Sequence, residues 1–234
     1  MHAPTRQSEP IPSDMLMLAY RNGIFPMADH RGDQDIYWVE PRERAIIPLD
    51  GFHCSRRLAR TLASDHFTVT CNRAFDQVIA ACAAPREVHA ESWISQRIEE
   101  SYLALHEQGH AHSIECWRTD EGDEPQLVGG LYGVGFDRVF CGESMFTRER
   151  DGSKAALAWL VAAMRQAGFR VLDCQFMTDH LASMGARAVP QSAYLEMVAA
   201  ARGDPDMTLA TSIGRFAQAS SPGKLIAQSL TQTS

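Results

Sequence analysis

The chain has 234 residues, 45% of them hydrophobic, and a formal net charge of −7, with a pI near 5.7. That length and apolar content support one large domain, or one domain with a small appendage. The acidic balance excludes a protein that coats nucleic acid non-specifically but leaves room for a local basic grip.

Residues 1–12 are polar and Pro-rich and read as a loose arm without the apolar stretch of a secretory signal. No apolar run reaches the roughly 18 residues of a membrane span. The six cysteines (54, 71, 82, 116, 141 and 174) form no CxxC pair and lie mostly in apolar runs, the pattern of reduced, buried thiols. A cytoplasmic protein is expected.

Ser13 or Asp14 caps a short predicted helix that runs to Asn22 and stops at Gly23. Ile36–Trp38 and Ala45–Ile47 are short strand candidates around the turn-rich Glu40-Pro-Arg-Glu43. Ser55–Ala63 reads as a helix capped by Ser55, and Phe67–Cys71 as a β-branched strand. Ala74–Cys82 places Phe75, Val78, Ile79 and Cys82 at helical spacing, and Ser95–Gln108 does the same with Ile98, Tyr102 and Leu105, ending at Gly109.

Ala111–Trp117 alternates as a strand, and Glu121-Gly-Asp-Glu-Pro125 is a turn. Leu127–Val134 and Val139–Phe146 predict a hairpin around Gly135-Phe-Asp-Arg138. Ser153–Gln166 is the clearest helix, with Leu157, Leu160, Val161 and Met164 on one stripe and Gly168 at its end. Arg170–Phe176 is the next strand and Ser192–Ala201 a last helix, followed by a polar tail. From residue 67 the order β-α-α-β-β-β-α-β-α suggests an α+β or α/β layer domain, behind a smaller irregular module of the first 60 or so residues.

Acidic and amide groups interrupt the apolar strands. By strand alternation Cys141, Glu143 and Met145 share one face, and Val171, Asp173 and Gln175 share another. If the two strands are neighbours, Glu143, Asp173 and Gln175 converge. Burying carboxylates costs several kcal/mol unless they are paired or hydrogen-bonded. Such a cluster is either a site able to orient a nucleophile and move a proton, or a strand-end cluster tied to Lys154, Arg148 or backbone amides.

His106-Glu-Gln-Gly-His110 matches HExxH, the pattern of a zinc peptidase. Gly109 and the switch to period two after it place the histidines across a helix–strand boundary, which favours a helix-end cluster over a metal site. The glycines of Gly129-Gly-Leu-Tyr-Gly133 mark either close approach by a ligand or another backbone, or a bulge. Arg42, Arg44, Arg56, Arg57 and Arg60 face only Glu43 and Asp50 in the same stretch. That is a solvated face or, with Tyr37 and Trp38 to stack bases, a phosphate-binding patch.

Taken together, these motifs resemble the leucyl/phenylalanyl-tRNA–protein transferase family. The match runs from about Met15 to Ala200, through Tyr20-Arg-Asn-Gly-Ile-Phe-Pro26, Trp38 with Pro41-Arg42, His53-Cys-Ser-Arg56 and Ser92-Trp-Ile94. It continues in Gly109-His-Ala-His-Ser-Ile-Glu115, Leu127–Val134, Gly142–Phe146, Ser153-Lys154, Asp173-Cys-Gln175, His180 and Gly185-Ala186. The chain departs from the family's run at Trp38-Val-Glu-Pro-Arg42, at Met27 for a Trp and at Gln191 for an Arg.

The resemblance implies an α+β fold, with a small N-terminal α/β domain over 1–62 and an acyl-CoA N-acyltransferase-like domain over 63–234. It implies transfer of Leu or Phe, with Met as a further candidate donor, from aminoacyl-tRNA to the N-terminal amine of proteins beginning with Arg or Lys. The product is a degradation signal, and the enzyme a cytoplasmic monomer without CoA, metal, ATP or another cofactor.

By resemblance Asp173 and Gln175 form a relay: the Gln175 oxygen draws a proton from the amine, and Asp173 polarises Gln175. A neutral amide is a poor base, so the preferred reading has Gln175 orient the amine while a carboxylate, water or the ribose takes the proton. Glu143 is the third polar member. Donor-side substrate-binding candidates are Leu131, Phe140, Ser144, Met145, Leu157, Leu160, Met164 and Leu172, the methionines adapting to branched and aromatic shapes. Trp38 and Trp93 match aromatics near the terminal adenosine, and Arg42, Arg56, Arg57 and Arg60 are the tRNA-binding candidates. A CoA-dependent N-acetyltransferase of the same fold and a non-catalytic tRNA-binding module are the remaining rivals. The first is disfavoured by the charged turn Arg148-Glu-Arg-Asp-Gly-Ser153, which has a single glycine to cradle pyrophosphate.

Overall fold

The computed structural model describes residues 9–85, 92–120 and 123–231. Most of the arm expected over residues 1–12, and the first two residues of the turn at Glu121, lie outside them. In chain order the elements are α1 (Ser13–Arg21), β1 (Phe25–Met27), β2 (Tyr37–Val39), β3 (Glu43–Ile47), α2 (Arg56–Ala63), β4 (Thr68–Cys71), α3 (Phe75–Ala83) and α4 (Gln96–Glu107). They continue as β5 (Ala111–Arg118), β6 (Gln126–Phe136), β7 (Val139–Thr147), α5 (Gly152–Ala167), β8 (Val171–Asp173), α6 (Asp179–Ala182), β9 (Arg187–Pro190), α7 (Gln191–Ala200), α8 (Leu209–Ala217) and α9 (Pro222–Thr231).

Seven strands form one sheet in the order β4-β5-β6-β7-β8-β3-β9, and β1 and β2 form a separate ribbon. Among the described strands only β7 and β8 run parallel, pairing at Val139–Val171, Phe140–Leu172 and Cys141–Asp173. Because side chains alternate across a sheet, each strand feeds two cores. Ile46, Tyr132, Cys141 and Val171 pack on one face with α1, α3, α4 and α7. Ile47, Leu131, Phe140 and Leu172 pack on the other with α2, α5, α8 and α9. The mixed α+β layers expected from the sequence are present.

The helices begin where side chains can satisfy their free N–H groups. Ser55 Oγ accepts from Leu58 N at 3.2 Å, Ser95 Oγ from Ile98 N at 3.3 Å and Thr178 Oγ1 from Leu181 N at 3.2 Å. Gly168, at φ 80°, closes α5 in the left-handed region that glycine adopts without penalty. The strand glycines resolve as backbone approach: a Cβ on Gly129 would lie 2.6 Å from the carbonyl carbon of Gly152, and one on Gly133 2.2 Å from the Cys141 oxygen. These glycines let α5 and β7 close on β6.

Three sequence expectations change. The strand predicted over Arg170–Phe176 ends at Asp173, because Cys174 and Gln175 turn to bond Ala45 of β3 and Gln175 takes φ 62°. The helix over Ser192–Ala201 is not the last. Leu209, Ile213, Ile226 and Leu230, spaced by four within α8 and α9, are buried against α5 and α2. β3, from the first 62 residues, lies between β8 and β9 within the large sheet. Met145 also parts from Cys141. The register passes from Tyr132–Ser144 to Gly133–Gly142, so Glu143 is the extra residue of a bulge and Met145 joins the core on the opposite face.

Candidate active site

Beyond Cys141, β7 continues for six residues with no β8 residue beside it. A cleft of about 770 Å³ opens where the two parallel strands part. Ligands collect at the carboxyl ends of such strands, where the sheet leaves a crevice.

The β7 bulge aims Glu143 into this cleft, and the left-handed turn brings Gln175 over it from β8. Glu143 is 9% exposed. Its Oε1 accepts from Gln175 Nε2 at 2.8 Å and from the Tyr20 hydroxyl at 2.7 Å, and its Oε2 accepts from the Tyr102 hydroxyl at 3.1 Å. The two tyrosine hydroxyls also lie within hydrogen-bond reach of each other, so their two protons are shared among three contacts. A carboxylate only accepts, so it fixes the Gln175 amide with nitrogen inward and leaves Oε1 as its acceptor. Burial pushes the Glu143 carboxyl up from 4.5 to about 7, against the opposing pull of the bonds from Tyr20, Gln175 and Tyr102.

Asp173 is fully buried. Its Oδ2 pairs with Arg44 and accepts from the Tyr194 hydroxyl at 3.1 Å, while its Oδ1 accepts from the Gln175 backbone N–H at 2.8 Å. Arg44 lies between the rings of Phe25 and Tyr194, 4.9 and 4.5 Å from their centroids. Burial would lower the Arg44 pKa, but the Asp173 carboxylate outweighs it and holds the guanidinium firmly charged. Asp173 therefore does not touch the Gln175 side-chain amide, as the expected relay required. It pins the backbone of Gln175 in the left-handed conformation that delivers the amide to Glu143.

Glu143, Asp173 and Gln175 are thus brought together, with Arg44, Tyr20, Tyr102 and Tyr194 behind them. The sequence alone does not single out the three tyrosines, and it reads Arg44 only as one charge of the basic stretch. Arg44 shares the parity of Ile46 in a five-residue strand, which is the available signal that it points into a core. Tyr102 sits on the apolar stripe of α4, where its hydroxyl demands a partner. By contrast, Glu115 on β5 is a buried carboxylate satisfied by Thr70, Ser113 and the N–H groups of Arg73 and Ala74 at the start of α3, away from the cleft.

One wall of the cleft is apolar, formed by Leu131, Met145, Leu157, Leu160, Leu172 and Leu181. Ser144 and Trp93 also line it, and Met27, Phe176 and His180 stand with them. Phe140 and Met164 do not: both are fully buried in the same core cluster as that wall, and Met164 lies one turn beyond Leu160. Trp38 is 40% exposed on the β1–β2 ribbon and is not a lining residue.

The basic stretch divides. Arg44 is buried and paired, and Arg57 Nε bonds Asp151 at 3.1 Å. Arg56 and Arg60 stay exposed on α2, and Arg42 lies at the opposite end of β3. In the HExxH segment, α4 ends at Glu107 and Gly109 has φ 78°. His106 Nδ1 bonds the Ala111 carbonyl at 2.8 Å and its ring stacks on Phe75. The two histidines sit on either side of a turn in the chain rather than on one helical face.

Two family models match the chain: leucyl/phenylalanyl-tRNA protein transferase over residues 46–199, and the N-terminal domain of that transferase over residues 11–42. Curated relatives of the name leucyl/phenylalanyl-tRNA–protein transferase align over most of it. The one from Novosphingobium aromaticivorans is 64% identical over 192 residues, 82% of this chain and 71% of the relative. That of Rhizorhabdus wittichii is 54% identical over 82% of this chain and 76% of the relative. That of Phenylobacterium zucineum is 46% identical over 94% and 96%. Among solved structures FemX superposes with a TM-score of 0.51 at 13% identity, covering 76% of this chain and 66% of that one, a likeness of fold.

Proposed function

This chain belongs to the leucyl/phenylalanyl-tRNA protein transferase family and is an aminoacyltransferase with an acyltransferase-like fold; on that premise we propose that it moves Leu or Phe from charged tRNA to the N-terminal amine of proteins beginning with Arg or Lys. The product is a degradation signal, and the enzyme works as a cytoplasmic monomer. Among the described residues no helix is long and apolar enough to cross a membrane.

The observation that carries this reading is the Glu143–Gln175 pair on the cleft floor, backed by Asp173 and Arg44 and faced by an apolar wall. The donor ester is already activated. Catalysis then requires holding amine and ester in line, removing one proton and steadying a tetrahedral oxyanion. The apolar wall accepts the Leu or Phe side chain and Met145 adjusts to its shape. Trp93 and Met27 stand at the adenosine end, with Met27 in the place of the family's usual Trp.

Gln175 Oε1 accepts a hydrogen bond from the incoming amine and aims its lone pair. The amine, with an ordinary pKa of about 7.7–8.0, attacks the ester carbon. A carboxylate with a pKa near neutral is matched to take the proton released as the C–N bond forms. As the C–O bond breaks, the ribose oxygen takes that proton back from the Glu143 carboxyl and leaves as the free hydroxyl. Asp173, neutralised by Arg44, serves as a positioning residue. Arg42, Arg56, Arg57 and Arg60 are proposed to hold tRNA phosphates.

Labelled Leu- or Phe-tRNA incubated with peptides differing only in their first residue tests the reading. Label on the Arg and Lys peptides, with none on an Ala peptide or an N-acetylated Arg peptide, is the expected result. Equal labelling of all four would overturn it.

A further inference from the structure

A second concavity of about 470 Å³ lies at the other end of β8 from the reaction cleft. Its floor is Ile46, Ile47, Val171 and Leu172, and its rim carries Arg165, Arg170 and Arg187 against the single carboxylate of Asp50. All three arginines are exposed, and none has an ion-pair partner among the described residues. Only Arg165 is otherwise engaged, through one bond from Nη1 to the Ser229 carbonyl at 2.6 Å. Three exposed guanidinium groups around one carboxylate give the groove a local positive field that favours an anion. It stands out in a chain whose net charge is −7.

Leu172 lines both the groove and the cleft, and the three-residue β8 that separates their ends is roughly 10 Å long. A nucleic-acid strand rises about 3.4 Å per nucleotide. Because β8 itself is buried and β9 is the sheet edge beyond it, a strand rounding that edge needs several nucleotides from a 3′ end held in the cleft to bring its phosphates to the groove. Guanidinium groups suit phosphates because they bind them through two parallel hydrogen bonds.

We propose that the groove of Arg165, Arg170 and Arg187 is a second tRNA-backbone site, separate from the α2 arginines, which grips the acceptor strand beside the reacting end. The assignment rests on the aminoacyl-tRNA reading of the cleft.

The test compares the wild type with Arg165→Gln/Arg170→Gln/Arg187→Gln and with the triple lysine variant. Binding of charged tRNA is measured across a salt series, and transfer kinetics with full-length charged tRNA and with an aminoacyl ester of adenosine alone. The glutamine variant is expected to flatten the slope of log K against log salt by about 2 to 3. It should raise KM for charged tRNA at least tenfold and leave kcat and KM for the adenosine ester unchanged. The lysine variant, which keeps the charge, should retain most of the slope. An unchanged slope and KM would overturn the proposal, as would a rise confined to KM for the acceptor peptide. Failure of the wild type to transfer from either donor would instead sink the reading of the cleft, and the binding arm would still decide the groove.

Discussion

Glu143→Gln separates the charge of this residue from its shape. The glutamine oxygen can accept from Tyr20 and Gln175 as Oε1 does now, and its amide nitrogen can donate to the Tyr102 hydroxyl, so no buried polar group need be orphaned. The Glu143 carboxyl has a folded pKa of about 7 against an ordinary 4.5. In that interval the folded state holds a proton that the unfolded state has lost. Stability therefore falls as pH rises from 4.5 to 7, and above that the cost of ionising the buried acid is borne in full. A shift of this size corresponds to about 3 kcal/mol. Urea unfolding of wild type and variant between pH 5 and pH 8 should show the variant gaining on the wild type across the interval, by up to about 3 kcal/mol, then a plateau. Transfer activity should fall by roughly 10²–10⁴ at the same time. Parallel stability curves would refute the raised pKa, and a variant that transfers like the wild type would refute its use.

Gln175→Ala should lose most transfer while still binding charged tRNA, and Asp173→Ala should do the same while also leaving Arg44 buried without its partner. Wild-type transfer by both variants would remove them from the reaction. Arg44→Ala should destabilise by about 3–5 kcal/mol, because Asp173 is left charged in the core; a loss under about 1 kcal/mol in urea unfolding would show that Tyr194 and the Gln175 N–H hold the carboxylate unaided. Replacing Arg56 and Arg60 with glutamine should weaken tRNA binding and flatten its salt dependence by about 0.7–0.9 for each phosphate no longer neutralised. An unchanged slope would mark α2 as a solvated face.

Periodicity carries the long elements. The stripe of Leu157, Leu160, Val161 and Met164 announces α5, and the alternating runs around Asp137 announce the β6–β7 hairpin. Parity also brings Glu143, Asp173 and Gln175 to one place, although by a route the alternation rule does not contain. Glu143 arrives through a one-residue bulge and Gln175 through a left-handed turn. Each breaks the period, and each depends on a neighbour: the first on β6, the second on the Asp173 carboxylate and Ala45.

Arg44 reads from sequence as part of a surface patch because nothing local marks a charge as buried. Its partner lies 129 residues away. β1, β9 and α6 span only three or four residues each, too few to show a period. α8 and α9 do carry a helical pattern, Leu209 with Ile213 and Ile226 with Leu230 four residues apart, but each stripe is too short to stand out from the tail until α2 and α5 are in place to receive it.

The most direct test of aminoacyl transfer is one incubation of the unmodified protein with Leu- or Phe-charged tRNA and an Arg-starting peptide, read by fragmentation mass spectrometry. The expected product is a peptide heavier by one leucyl or phenylalanyl residue, attached at the α-nitrogen, with uncharged tRNA released in equal amount. Unmodified peptide recovered alongside free amino acid, or the added residue found on a side chain, would contradict it.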